Sequence, residues 1–173
     1  MNSRKEIREE QAEFQKLVKK MASRDTNALK SFYEVYGRMI LVAAKSITRD
    51  SFLAEEVVDD ILVKVWNSAH EIPFLENPRG WLYKITVNCA KDKVRTTKRF
   101  VAMQETVVTD TNIEYFLAQD AFFSMIAPLD EEERQIIIFH IIEDMTFKQI
   151  AAAMDKPEST VTSAYYRARD KIK

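Results

Sequence analysis

Glycine is almost absent from this chain, and that scarcity constrains the fold more than any other feature of the sequence. The 173 residues include 2 glycines and 4 prolines. Tight turns and β-hairpins depend on residues that tolerate positive φ, chiefly glycine, whereas a helix interior needs neither glycine nor proline. We therefore predict an all-α protein, and the length allows one domain or two small ones.

Composition disfavours several classes of protein. No apolar run, Ile136–Phe139 included, is long enough to span a bilayer, and the N-terminus lacks the apolar core of a signal peptide. Cys89 has no partner for an internal disulfide, and His70 and His140 do not have a zinc-binding spacing. No motif for a nucleophile is present, so an enzyme is the least favoured class. We expect a cytoplasmic protein that needs no cofactor or metal and does not insert into a membrane.

The formal net charge is only −1, but charge is distributed unevenly along the chain. Residues 79–99 contain seven basic side chains and one acid, whereas residues 100–133 contain eight acids and no lysine or arginine. The sequence becomes basic again from Lys156. This order predicts two modules joined by an acidic connector, with boundaries at 1–98, 99–119 and 120–173.

Helical periodicity and capping residues predict most of the helix boundaries. The predicted helices are 6–21, 25 or 26 to 47, 51–68, 78–98, 113–126, one capped by Asp130, 147–154, and one that begins at Pro157. Ser51 and Asn77 are the predicted N-caps of the third and fourth helices. Two capping boxes are predicted, Asp130 with Glu133 and Thr146 with Gln149.

The last two predicted helices have the pattern of a helix-turn-helix. Val161, Tyr165, Ala168 and Ile172 share one face of the final helix, which should pack on the preceding helices. The polar face is predicted to contact DNA and carries Ser159, Thr160, Thr162, Ser163, Tyr166 and Arg167. A solvated amphipathic helix is the alternative.

Two further charged surfaces occur in the first module. A basic stripe on the fourth helix, predicted to bind DNA, consists of Trp81, Lys84, Asn88, Lys91 and Arg95. An acidic row on the third helix, suited to docking a basic protein surface, consists of Glu55, Glu56, Asp59 and Asp60. The alternatives are solvated faces, with Trp81 belonging to the core.

Taken together, these residues resemble the sigma factors of bacterial RNA polymerase, in particular the extracytoplasmic-function (ECF) group of the sigma-70 family. The segments "FYEVYGRMILVAAKSITRDSFLAEEVVDDILVKVWNSAHEI" and "PRGWLYKITVNCAKDKVR" are similar to region two of that family. The segment "LDEEERQIIIFHIIEDMTFKQIAAAMDKPESTVTSAYYRARDKI" is similar to region four. The resemblance covers most of residues 27–173 in the expected order.

The resemblance implies an all-helical, non-catalytic protein with two DNA-binding domains. Its partners would be RNA polymerase core, promoter DNA and an anti-sigma factor. Region two would hold the downstream promoter element, with residues 70–77 near an unpaired base, and region four would read the upstream element. Glu55, Asp59 and Asp60 match the surface of the family that docks on the polymerase clamp.

The chain departs from the family at the helix-turn-helix, where Thr162 and Ala164 replace the commoner lysine and arginine. Thr162→Lys with Ala164→Arg is expected to leave folding unchanged and to tighten DNA binding. A stand-alone helix-turn-helix regulator remains an alternative, although such a protein would normally dimerise and would not need the basic stripe. A helical protein-interaction module with incidental basic patches is a further alternative.

Overall fold

The computed structural model describes residues 4–103 and 121–173, and every regular element in these two ranges is an α-helix. The helices are α1 (Arg4–Ala22), α2 (Thr26–Thr48), α3 (Ser51–Ser68), α4 (Pro78–Met103), α5 (Ala121–Ile126), α6 (Glu131–Ile141), α7 (Phe147–Met154) and α8 (Glu158–Lys171). The all-α prediction is confirmed. Within the described ranges, no helix combines the length and the apolar character that crossing a bilayer requires.

Local capping chemistry sets most of the helix ends. Both predicted capping boxes are present, at the starts of α6 and α7. Asn77 caps α4, since its side-chain oxygen accepts a hydrogen bond from the Gly80 backbone N–H at 2.9 Å. The predicted cap of α3 is wrong by one residue. Asp50, in an extended conformation, accepts from the Leu53 N–H at 2.9 Å, and Ser51 is the first helical residue.

Helices α1 to α4 form the first module around one apolar cluster. Val57, Ile61 and Val65, which recur along one face of α3, are fully buried. The Phe14 ring on α1 packs against Phe32, Tyr36 and Trp81, with ring centroids 5.6–6.1 Å apart. These aromatic contacts hold α1 and α2 against the start of α4.

Helices α5 to α8 form the second module. Ile137 and Ile138 of α6 are buried together with Ile126 of α5 and Ala168 of α8. The other side of α6, with Ile136 and Phe139, faces α7 and the first module. Helix α6 therefore contributes to two apolar clusters.

The two modules pack directly on each other. Tyr83 and Val87 of α4 lie in one buried cluster with Phe139 of α6 and Ile150 of α7. The Tyr83 and Phe139 ring centroids are 3.6 Å apart. The second module therefore covers part of α4, an arrangement that we call the closed arrangement.

The predicted connector, residues 99–119, is described only in its first part. Helix α4 continues past the predicted end at Lys98 to Met103. Residues 104–119 lie outside the described residues, as does most of the helix predicted at 113–126, of which α5 is the described portion.

Candidate nucleic-acid interface and acidic groove

Helices α7 and α8 have the geometry of a helix-turn-helix. Asp155 ends α7 in the left-handed conformation, with φ at 53°, and its N–H donates to the Ala151 carbonyl. Asp155 can adopt this backbone because a short polar side chain tolerates positive φ better than most. Pro157 then starts α8 at its N-cap position.

The predicted polar face of α8 is exposed for most of its length. Ser159, Thr160, Ser163, Tyr166 and Arg167 are exposed. Arg167 forms no ion pair with any residue that the structure describes, so its guanidinium is available to an external anion. Thr162 differs, because it is half-buried and its hydroxyl donates to the Glu158 carbonyl at 2.8 Å. Such a bond within the helix occupies the hydroxyl.

The expectation that Ala164→Arg leaves folding unchanged is wrong. Ala164 is completely buried, together with Val161 and Ala168, whereas Tyr165 is only half-buried. An arginine at position 164 would force a charged side chain into a packed core and leave it without a partner. The fully buried residues of α8 are therefore Val161, Ala164 and Ala168, and Ala164 takes the place that was predicted for Tyr165.

The basic stripe of α4 faces the second module. Lys84 forms an ion pair with Asp155, in the turn before α8. Lys91 forms an ion pair with Glu131 of α6 at 2.6 Å. Asn88 lies between them, exposed in the groove that separates α4 from α6 and α7. In the closed arrangement, this part of the stripe is therefore engaged by acids of the second module.

The two ends of the basic stripe have different surroundings. Trp81 is half-buried and packs against the core of the first module, with its ring edge-on to Phe14 at 6.1 Å. Arg95 pairs with Asp92 on its own helix at 2.7 Å. Lys84, Asn88 and Lys91 therefore share one groove, whereas Trp81 belongs to the core of the first module.

Sequence reasoning missed the residues that join the modules. A Cβ added to Gly80 would clash with the Asn77 side chain that caps α4 and would lie 3.1 Å from the Cβ of Ala153 on α7, so glycine makes room for both the cap and the close approach of α7. Arg79 pairs with Glu143 of the second module at 2.7 Å and also with Glu10 of α1. Burial raises the pKa of Glu143. One signal was available: a glycine inside a helix costs about 1 kcal/mol and therefore suggests a packing requirement.

The acidic row of α3 divides into two pairs. Glu56 and Asp60 form ion pairs with Lys93 of α4, at 3.3 and 2.8 Å. Glu55 and Asp59 are exposed and form no ion pair within residues 4–103 and 121–173. Only the second pair is therefore free to meet an external cation.

Glu55 and Asp59 border an open groove between α2 and α3, which we call the acidic groove. The groove has a volume of about 720 Å³. Its floor is formed by Leu41, Val58 and Leu62. Tyr33, which is 53% exposed, lies beside it. Three acids, Glu34, Glu55 and Asp59, and one cation, Arg38, also line the groove. An apolar floor with a mainly acidic lining suits a protein segment that presents both apolar and basic side chains.

The cysteine and histidines have structural surroundings. Burial raises the pKa of the Cys89 thiol, and the nearby Asp60 carboxylate raises it further, so the thiolate is disfavoured. The His140 ring contacts both the Phe147 and the Tyr165 ring, and its Nδ1 is 2.9 Å from the Met145 carbonyl oxygen. Over the described ranges, no group of three metal-ligating side chains comes together.

Comparisons with known proteins match both modules. Residues 32–100 match the family model for sigma-70 region 2, and residues 119–172 match the model for sigma-70, region 4. Together the two matches cover most of the chain.

Relatives of known function match over nearly the whole length. The ECF RNA polymerase sigma factor SigK of Mycolicibacterium vanbaalenii is 25% identical, over 94% of this chain and 87% of its own. The RNA polymerase sigma-H factor of Pseudomonas aeruginosa is 25% identical, over 94% of this chain and 93% of its own.

Two solved structures share the fold. CnrH, solved in complex with the cytosolic domain of CnrY, aligns with a TM-score of 0.67 at 22% identity, over 91% of this chain and 93% of its own. The sigma factor RpoE of Bartonella quintana, solved with the anti-sigma factor NepR, aligns with a TM-score of 0.64 at 20% identity, over 83% of this chain and 92% of its own.

Proposed function

The chain belongs to the ECF group of the sigma-70 family, and from that membership we propose that it binds RNA polymerase core in the cytoplasm, directs it to promoters and assists DNA opening. The observation that carries the proposal is the presence, on one chain, of an exposed helix-turn-helix face and an acidic groove on opposite modules. A stand-alone regulator needs the first surface and has no use for the second.

We assign a different partner to each surface. The face of α8 with Thr160, Ser163 and Arg167 reads the upstream promoter element, since hydroxyls contact base edges and arginine contacts phosphates. Lys84, Asn88 and Lys91 on α4 hold the downstream element. Glu55 and Asp59 at the acidic groove bind the polymerase. Residues 1–98 and 120–173 then act as the two functional domains.

The closed arrangement bears on how promoter binding is controlled. Lys84 and Lys91 are paired with Asp155 and Glu131, so DNA phosphates must compete with these carboxylates while the modules remain together. Separation of the modules therefore favours promoter binding through the basic stripe. When polymerase holds the separated modules at a fixed spacing, each DNA contact raises the effective concentration of the other.

An anti-sigma factor is part of the same proposal. The neighbours CnrH and RpoE were solved with the cytosolic domain of CnrY and with NepR, respectively. The shared fold supports a similar protein partner for this chain, one that would compete with polymerase or DNA for the surfaces described above.

Transcription in vitro tests the proposed function. The full chain is added to polymerase core on genomic DNA fragments, and the 5′ ends of the transcripts are mapped. We expect new start sites that share an upstream and a downstream element at a fixed spacing. If core gains no new start sites while the chain alone binds a specific DNA site as a dimer, the stand-alone regulator is correct instead.

Replacement of Arg167 should weaken binding to all upstream elements alike. An arginine that contacts phosphate contributes affinity without sequence preference, so Arg167→Ala should lower the slope of log affinity against log salt by about one unit. Promoter binding by holoenzyme, measured across a salt series, checks the result. Lys20→Ala, an exposed cation on α1, is the matched control. If Arg167→Ala and the control have equal slopes, α8 is not part of the DNA interface.

Tyr83→Phe should tighten the closed arrangement. The Tyr83 hydroxyl is buried and finds no hydrogen-bond partner among the described residues, and burial raises the pKa of Tyr83 well above its usual value. Removing an unsatisfied buried hydroxyl should stabilise the chain by about 1 kcal/mol, or roughly 2–4 °C in Tm. Calorimetry provides the measurement, and an unchanged or lower Tm would show that the hydroxyl is satisfied in solution.

A further inference from the structure

A cationic cleft lies where the C-terminal half of α4 meets the end of α2 and the start of α6. Its volume is about 820 Å³, and among the described residues six cations and one acid, Glu131, line it. The cations are Arg49, Lys91, Arg95, Lys98, Arg99 and Arg134. Because Arg134 belongs to the second module and the others to the first, the cleft is complete only in the closed arrangement.

Arg134 is the least compensated charge in the cleft. It is only 7% exposed, and its buried Nε has no hydrogen-bond partner within the described residues, although one terminal nitrogen donates to the Leu129 carbonyl at 2.8 Å. Burial lowers the pKa of Arg134, and the like charge of Arg49 lowers it further. A buried guanidinium with an unsatisfied donor is costly unless an anion completes its surroundings.

The neighbouring cations add charge that the described residues neutralise only in part. Lys91 pairs with Glu131, and Arg95 pairs with Asp92. Arg49, Lys98 and Arg99 form no ion pair within residues 4–103 and 121–173. Water can stabilise the charges of Lys98 and Arg99, because both side chains are exposed. It cannot do the same for Arg134, which is buried beside Arg49.

We propose that the cationic cleft binds a small, multiply charged phosphate compound, an inorganic or nucleoside polyphosphate. Guanidinium groups bind phosphate oxygens in pairs, and several adjacent cations favour a ligand with several phosphates. The cleft volume falls in the range of small-molecule sites, about 300–1,000 Å³. Ile47 and Val94 also line the cleft and offer an apolar surface to the base of a nucleoside polyphosphate.

Such a ligand would act on the position of the modules. Because both modules line the cleft, the ligand binds the closed arrangement in preference to the separated one. At a free concentration about 100 times its Kd, it would lower the ratio of separated to closed chains roughly 100-fold. The cleft would thereby couple the concentration of a phosphate compound to the accessibility of the basic stripe.

Calorimetric titration of the full chain at physiological salt tests the proposal. The probes are inorganic tripolyphosphate, ATP and a DNA duplex of random sequence, so that free polyphosphate is distinguished from nucleic-acid backbone. We expect saturable one-to-one binding of tripolyphosphate or ATP. Arg134→Gln and, separately, Lys98→Gln with Arg99→Gln should each weaken that binding at least tenfold. The second variant changes only exposed residues and should therefore fold normally.

Lys16→Gln with Lys20→Gln on α1 is the control, because it removes the same charge as the exposed variant from a surface outside the cleft. Its affinity should equal that of the parent. The proposal is overturned if neither polyphosphate saturates, if the control and the cleft variants lose affinity equally, or if only the DNA duplex binds. The last result would assign the cleft to nucleic-acid backbone.

Discussion

Ala153→Glu should separate the two modules and expose the basic stripe. Ala153 is 8% exposed and lies so close to Gly80 that a Cβ added there would be 3.1 Å from the Ala153 Cβ, so a longer side chain at position 153 crowds the contact between α4 and α7. A glutamate at this position adds volume to the interface. Overpacking of a close contact costs about 1–3 kcal/mol, so the ratio of separated to closed chains should rise about 5- to 150-fold.

Two measurements check the Ala153→Glu prediction. Small-angle scattering should report a larger radius of gyration for the free chain, and promoter DNA should bind more tightly because Lys84 and Lys91 become available. If a fraction f of the parent chains is already separated, the variant can bind DNA at most 1/f times more tightly than the parent. Ala152→Glu is the matched control, since Ala152 is exposed on the same helix. If the two variants have the same radius and affinity, α7 does not control access to α4.

Glu55→Lys with Asp59→Lys should abolish most of the binding to RNA polymerase core. Both carboxylates are exposed and unpaired within the described ranges, so the substitutions should not disturb the fold. Placing two cations against a basic docking surface costs several kcal/mol, which corresponds to at least about a 100-fold loss of affinity. Binding to core, measured by titration with a labelled chain, provides the test.

The control for this double variant is Glu9→Lys with Glu13→Lys on α1, which makes the same change in net charge on another exposed surface. The control should bind core like the parent. Reversal of Glu56 and Asp60 is less informative, because these residues hold Lys93 and the change also breaks contacts between α3 and α4. If the Glu55 and Asp59 variant binds core with unchanged affinity, the acidic groove has another role.

The sequence predicted the parts of the fold that depend on local chemistry. The caps at Asp130 and Thr146 follow from residues within a few positions of each other, and these predictions are confirmed. Asp50 and Ser51 are both good capping residues, so periodicity alone did not separate them. Alanine is compatible with a core or a surface, and for this reason the burial of Ala164 was missed.

The candidate site was less predictable, because periodicity identifies which residues share a face but not what that face contacts. Lys84 and Lys91 meet acids that are 71 and 40 positions away along the chain. No local pattern specifies a pairing over such a separation. The role of the basic stripe in DNA binding therefore remains a prediction, to be tested with the modules apart.

The apolar cluster that Tyr83 and Val87 share with Phe139 and Ile150 also bears on solubility. When the modules part, each one presents to water the aromatic and aliphatic side chains that the other had covered. Contiguous apolar surface of this kind promotes self-association unless a partner covers it. The separated chain is therefore expected to persist only when bound to another protein. At high concentration without one, it should form oligomers or precipitate.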